Sequence, residues 1–66
     1  MDRKGALVWV EFNEETMTEN DRRVLKKHGP LWLVRDSSVA GDRLQCESMK
    51  DRGAIHIWYE SEVKFK

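Results

Sequence analysis

The chain has little with which to hold itself together covalently, and nothing with which to cross a membrane as a helix. Its one cysteine, Cys46, leaves no disulfide within the chain, and beside aliphatic neighbours it reads as a small buried hydrophobe of a reducing compartment, with a reactive thiol as the rarer alternative. Neither charge is in excess: twelve Lys and Arg balance twelve Asp and Glu, so no global field draws the chain to polyanions and any nucleic-acid binding must rest on a local patch. The apolar run from Ala6 to Val10 ends at Glu11, far too short for a signal-peptide core or a membrane span. A cytoplasmic protein with no membrane partner is the expectation. Repeats, low-complexity tracts and interdomain linkers are all missing, so residues 1–66 form one domain.

What is present is a compact apolar inventory. Hydrophobic residues make up 39% of the chain and include three Trp, which excludes the low-hydropathy, high-charge signature of disorder. A chain of 66 residues buries only about 60% of the surface its unfolded form exposes. Many domains of this size add disulfides, metals or a second subunit.

Alternation of apolar and polar residues marks the strands. Leu7 to Phe12 places Val8, Val10 and Phe12 on one side and Leu7, Trp9 and Glu11 on the other. Leu31 to Arg35 opens just after Pro30, where a missing N–H disrupts no interior ladder, and sets Leu31 and Leu33 against Trp32. Arg43 to Met49 sets Leu44 and Cys46 against Arg43, Gln45 and Glu47, and Ala54 to Tyr59 sets Ile55, Ile57 and Tyr59 against His56 and Trp58. A short last strand, Val63 to Phe65, follows the polar bridge Glu60-Ser61-Glu62. Turn chemistry separates them at Asp36 to Asp42 and at Lys50 to Gly53.

Between the first two strands, Thr18 to His28 carries helix signals: Thr18 as N-cap, Glu19 and Asp21 in the first turn, basic residues at the end, then Gly29 and Pro30. Its apolar stripe is narrow, so the segment must dock or fray. A polar loop leading to a short strand at Val24-Leu25 is the alternative.

The order strand, polar bridge, short strand at the chain's end resembles the closing segment of SH3-like barrels, in which one helical turn leads into the last strand. Lys4-Gly5-Ala6-Leu7-Val8-Trp9-Val10 resembles the opening strand of small bacterial and phage members, and Gly29-Pro30-Leu31-Trp32-Leu33-Val34 their entry to the second. The resemblance implies a mainly β fold: a small antiparallel SH3-like barrel of about five strands, with a short helix in the long loop after strand one. The acidic-aromatic first loop and paired tryptophans of the eukaryotic signalling branch are not matched, nor is its proline-peptide recognition implied. Ile55-His56-Ile57-Trp58 is also similar, in position and alternation, to the pore strand of the plasmid-borne type II dihydrofolate reductases, small SH3-like barrels. The glutamine and tyrosine of that strand are absent, and no active-site role is carried over.

On this reading the inner face is Val8, Val10, Phe12, Leu31, Leu33, Leu44, Cys46, Ile55, Ile57 and Tyr59, and Trp9, Trp32 and Trp58 share the opposite one. An aromatic platform for a protein partner is one consequence, since Trp is enriched at interface hot spots. Trp9, Trp32, Trp58 and His56, with the charged residues Arg35 and Glu47, form the candidate protein-binding set. Burial of the tryptophans under the Thr18 to His28 segment, or against a second copy, is the structural alternative. Arg22, Arg23, Lys26, Lys27 and His28 form the one dense basic cluster and the candidate nucleic-acid site, with the tryptophans available to stack bases. His28, His56 and Cys46 lack the paired spacing of zinc sites, and no phosphate-binding or nucleophile motif occurs. The chain therefore reads as a stand-alone binding module without cofactor or metal, not an enzyme, of a size that suits a bacterial or phage accessory regulator.

Overall fold

The computed structural model describes residues 3–38 and 42–66. Its elements run β1 (Leu7–Val10), α1 (Glu19–His28), β2 (Leu31–Ser37), β3 (Arg43–Ser48), β4 (Ile55–Tyr59), a 3-10 turn (Glu60–Glu62) and β5 (Val63–Phe65). The expected turn from Asp36 to Asp42 lies partly outside the described residues, at Val39, Ala40 and Gly41. All five strands are antiparallel in one sheet of order β4-β3-β2-β1-β5. β4 and β5 are its two edges, so the sheet is not closed into a barrel.

The helix forms where its termini are satisfied. Thr18 Oγ1 accepts from the Asp21 N–H at 3.2 Å, and Glu19 and Asp21 occupy the first turn while Lys26, Lys27 and His28 occupy the last, both favourable to the helix dipole. At its end Gly29 takes φ 78°, and its N–H returns to the Leu25 carbonyl at 2.8 Å. Only glycine adopts that conformation without a Cβ penalty. Arg22 anchors the preceding loop, its Nη1 donating to the Met17 carbonyl at 2.7 Å and the Glu14 carbonyl at 3.1 Å.

One face of the sheet is covered by Met17 and Leu25 and forms the core with Val8, Val10, Trp32, Val34, Leu44, Cys46 and Trp58. Val8, Val10, Leu44 and Cys46 are where the sequence pattern puts them. The other strand assignments are corrected. Trp32 and Trp58 point inward and are fully buried, whereas Ile55, Ile57 and Tyr59 are exposed and Leu31 and Leu33 are half-buried. Phe12 lies beyond the end of β1 and is also exposed.

The physical reason is strand register. Val8 pairs with Trp32, Val34 with Cys46, Leu44 with Trp58 and Cys46 with His56, and directly opposed residues share a face. On β3 only the Leu44 and Cys46 side is apolar, so it decides which face of each neighbour is buried. In β2 and β4, apolar side chains lie on both faces, and alternation alone does not choose between them; a one-residue slip exchanges the faces.

Under the helix the aromatic rings form a row. Trp32 and Trp58 meet edge-to-face with centroids 5.5 Å apart, His56 lies 4.5 Å from Trp58, and His28 lies 6.1 Å from Trp32. Trp32 Nε1 donates to the Gly29 carbonyl at 3.0 Å. Trp58 Nε1 is buried with no acceptor among the described residues, so its ring is held by packing alone. Truncating such a ring costs about 3–5 kcal/mol, against a total stability of about 3–10 kcal/mol for a chain this long. Trp58→Ala is accordingly expected to abolish cooperative thermal unfolding, while Trp9→Ala, at a half-exposed site, shifts the midpoint by only a few degrees. Calorimetry on the two variants checks the assignment of faces.

Candidate functional site

The sheet face turned away from α1 carries the candidate site. Its side chains follow from the same register: Leu7 opposes Leu33 and Trp9 opposes Leu31 across β1 and β2, Leu33 opposes Glu47 across β2 and β3, and Glu47, Gln45 and Arg43 oppose Ile55, Ile57 and Tyr59 across β3 and β4. Two apolar areas result, one on β1 and β2 and one on β4, with the polar row of β3 between them. Trp9 remains 42% exposed and Ile57 54%. Among the described residues there is no second α-helix to lie over this face.

Glu47 is the fixed point of the polar row. Although it belongs to the outward face, it is buried at 5% exposure, because neighbouring groups close around its carboxylate. Arg35 Nη1 reaches Oε1 at 2.8 Å, Arg52 Nε reaches Oε2 at 3.1 Å, and the Gly53 N–H donates to Oε2 at 2.8 Å. Hydrogen bonds from Arg52, then Arg35, then the Gly53 amide stabilise the ionised form and lower its pKa from 4.5 to about 2. Arg35 follows Leu33 on the outward face, diagonal to Glu47, and lies at the register shift between Val34 and Asp36. Arg35 and Glu47 thus meet, as a pair of the same site. Arg52 and Gly53, in a turn with no periodic signal, were not legible as its other members.

The remaining candidates are dispersed. Trp32 and Trp58 lie in the core and offer no surface to a partner. His56 is on the covered face, its Nε2 2.9 Å from Asp21 Oδ1, and His28 Nδ1 is 2.8 Å from Asp51 Oδ2, so each histidine ties α1 to the β3 and β4 region. Of the basic cluster, Arg22 is bound to loop carbonyls, Arg23 pairs with Glu19 at 2.9 Å, Lys26 Nζ lies 5.7 Å from the Phe12 ring centre, and Lys27 is exposed. Arg22 with Lys26, and Arg23 with Lys27, are i,i+4 neighbours on one broad arc of the helix, but Arg22 and Arg23 are already engaged by these contacts. Trp9 alone of the tryptophans is on the outer face, with Lys66 Nζ 5.7 Å from its ring centre, within cation–π range.

No group of three or more His, Cys, Asp or Glu side chains among the described residues is arranged to hold a metal ion. Cys46 is fully buried, and burial pushes its thiol up to about 11, which suppresses the thiolate that nucleophilic chemistry requires. No helix among the described residues is long and apolar enough to cross a membrane. Comparison with protein families, with curated proteins and with solved structures finds no match to this chain.

The Glu47 cluster has a defined acid response. Its folded pKa lies below the unfolded one, so its contribution to stability is complete above pH 4.5 and is lost as pH falls towards 2. Urea unfolding at a series of pH values is expected to show the midpoint falling across that window, and Glu47→Gln is expected to lower it at pH 7 and flatten this part of the acid dependence.

Proposed function

We propose that the chain is a binding module, not a catalyst, and that it docks on a partner protein through the outer apolar area formed by β1 and β2. The cross-strand pairs Leu7–Leu33 and Trp9–Leu31 carry the reading. They set four apolar side chains side by side on an open sheet face, with a large aromatic at the edge and the Glu47 charge cluster next to them. An apolar centre with an anchored polar border is the anatomy of a protein interface, and a partly exposed Trp is the residue type that most often dominates one. The strand order and the 3-10 turn between β4 and β5 resemble an opened SH3-like arrangement, which suits a small accessory protein of bacterial or phage type that blocks or redirects a larger assembly. A fold of this kind does not by itself specify the partner.

A photo-crosslinking residue in place of Leu7, in the producing cell, is expected to yield one discrete protein adduct, and the same group in place of Asn20 on the exposed part of α1 none. With that adduct's partner purified, Trp9→Ala is expected to weaken binding by about tenfold or more while the melting temperature stays near that of the wild type. Adducts from Asn20 alone would contradict the reading. So would salt-sensitive binding to single-stranded or duplex oligonucleotides that Arg23→Ala and Lys27→Ala remove, which would favour the basic helix as a nucleic-acid site.

A further inference from the structure

The second apolar area belongs to an edge strand. β4 has β3 on one side and no strand on the other. The Ser48 N–H donates to the Ala54 carbonyl at 2.9 Å, and the pairs Cys46–His56 and Leu44–Trp58 continue that ladder. Peptide groups along an antiparallel strand alternate between its two sides, so those of His56 and Trp58 are directed to β3 and those of Ile55, Ile57 and Tyr59 to the open edge. Among the described residues a local side-chain partner is in place at Tyr59, its N–H donating to Glu62 Oε1 at 3.0 Å.

Open edges are ordinarily blunted by a charge, a proline, a bulge or brevity. The opposite edge, β5, follows this rule: it has three residues with Lys64 at the centre. β4 has none of these devices. It runs Ile-His-Ile-Trp-Tyr without Lys, Arg, Asp or Glu, its His56 is held by Asp21, and its pairing with β3 is regular throughout. Its outward side chains are about half exposed: Ile55 at 47%, Ile57 at 54% and Tyr59 at 51%.

We propose that β4 pairs with the β4 of a second copy of the chain, antiparallel about a two-fold axis at Ile57. The strand is self-complementary in that register. Ile57 opposes its own counterpart, Ile55 opposes the second copy's Tyr59, and His56 opposes the second copy's Trp58. Ile57 exchanges N–H and carbonyl with its counterpart, and Ile55 donates to the carbonyl of the second copy's Tyr59, leaving the bond from Tyr59 to Glu62 in place. No like charges meet, and the balance of twelve basic and twelve acidic residues gives the copies no net repulsion. Such an isologous contact closes after two copies, because each edge satisfies the other. The occupant is thus a copy of the chain itself, in preference to a foreign strand, since in the register the strand makes with itself each of the three apolar side chains is set beside another apolar side chain. The contact leaves Leu7 and Trp9 uncovered on both copies, so a dimer would present the docking area twice and gain avidity for a repeated partner.

Sedimentation equilibrium of the full chain, from micromolar to millimolar concentration, tests this. The wild type is expected to move from 7.8 kDa to twice that mass. Ile57→Lys and Ile57→Glu each place like charges across the axis, and each is expected to weaken self-association by about tenfold or more; an equimolar mixture of the two is expected to restore it. Trp9→Ala is expected to dimerise as the wild type does. Both Ile57 changes are at an exposed site, and circular dichroism with thermal melting verifies that they fold. The proposal is overturned by a wild type that stays monomeric at millimolar concentration, by Ile57 variants that dimerise undiminished, or by a mixture no better than its components. A monomeric chain that a different protein captures through β4 overturns it equally.

Discussion

A five-stranded sheet has two faces and this chain has one short helix to cover them. That mismatch organises everything else. The covered face must do nearly all the work of stability, and α1 brings to it only one fully committed side chain, Leu25, with Met17 from the loop before it. The volume is filled from the sheet side, by two indoles in edge contact at 5.5 Å. Aromatic pairs in this geometry add about 0.5–1.5 kcal/mol beyond the area they bury, and a core of nine residues depends on such large units because it has few others.

The histidines extend the same solution to the helix itself. A ten-residue helix is marginal alone, and α1 is fixed to the sheet region at both ends, by Asp21 on His56 and by His28 on Asp51. Ser48 adds a third tie, its buried hydroxyl donating to the His28 carbonyl and accepting from the Asp51 amide. Apart from Trp58 Nε1, the polar side-chain atoms that would otherwise make burial of this face unfavourable are thereby paired. Of the residues that looked like an aromatic recognition surface in the sequence, Trp32, Trp58 and His56 lie beneath the helix and Trp9 alone remains on the outer face.

What was legible and what was not divides along a physical line. The helix, the strands and the polar bridge before β5 all rest on local signals: Thr18 as cap, Gly29 as terminator, period-two alternation in Leu44 to Glu47. Their positions agree with the structure within one to three residues at the ends. The choice of buried face in β2 and β4 is a register property, set by pairing with β3, and strands apolar on both sides give no local hint of it. β3 did contain the answer, because its Arg43, Gln45 and Glu47 side could not be core as a whole; Glu47 is buried only because Arg35, Arg52 and Gly53 surround it. That cluster was half visible. Arg35 and Glu47 sit in strands where a rim role could be inferred, whereas Arg52 acts from a turn and through a distance that only the fold supplies.

The outward apolar residues then become the informative ones. Ile55 and Ile57 contribute nothing to the covered core, and β-propensity alone would be met by threonine, which is soluble on an open face. A strand that must remain solitary at an edge is better served by Lys at such positions, as β5 is by Lys64. Leu7 and Trp9 are in the same situation on β1. The arrangement these strands have is stable against association only if nothing complementary meets it. The separation of the two apolar areas by the pinned Glu47 row matters for that reason: it divides one outward face into a central area and an edge, which differ in geometry. The central area offers side chains alone. The β4 edge offers peptide groups as well, which water or a side chain such as Glu62 can meet singly and which another strand can pair as a row.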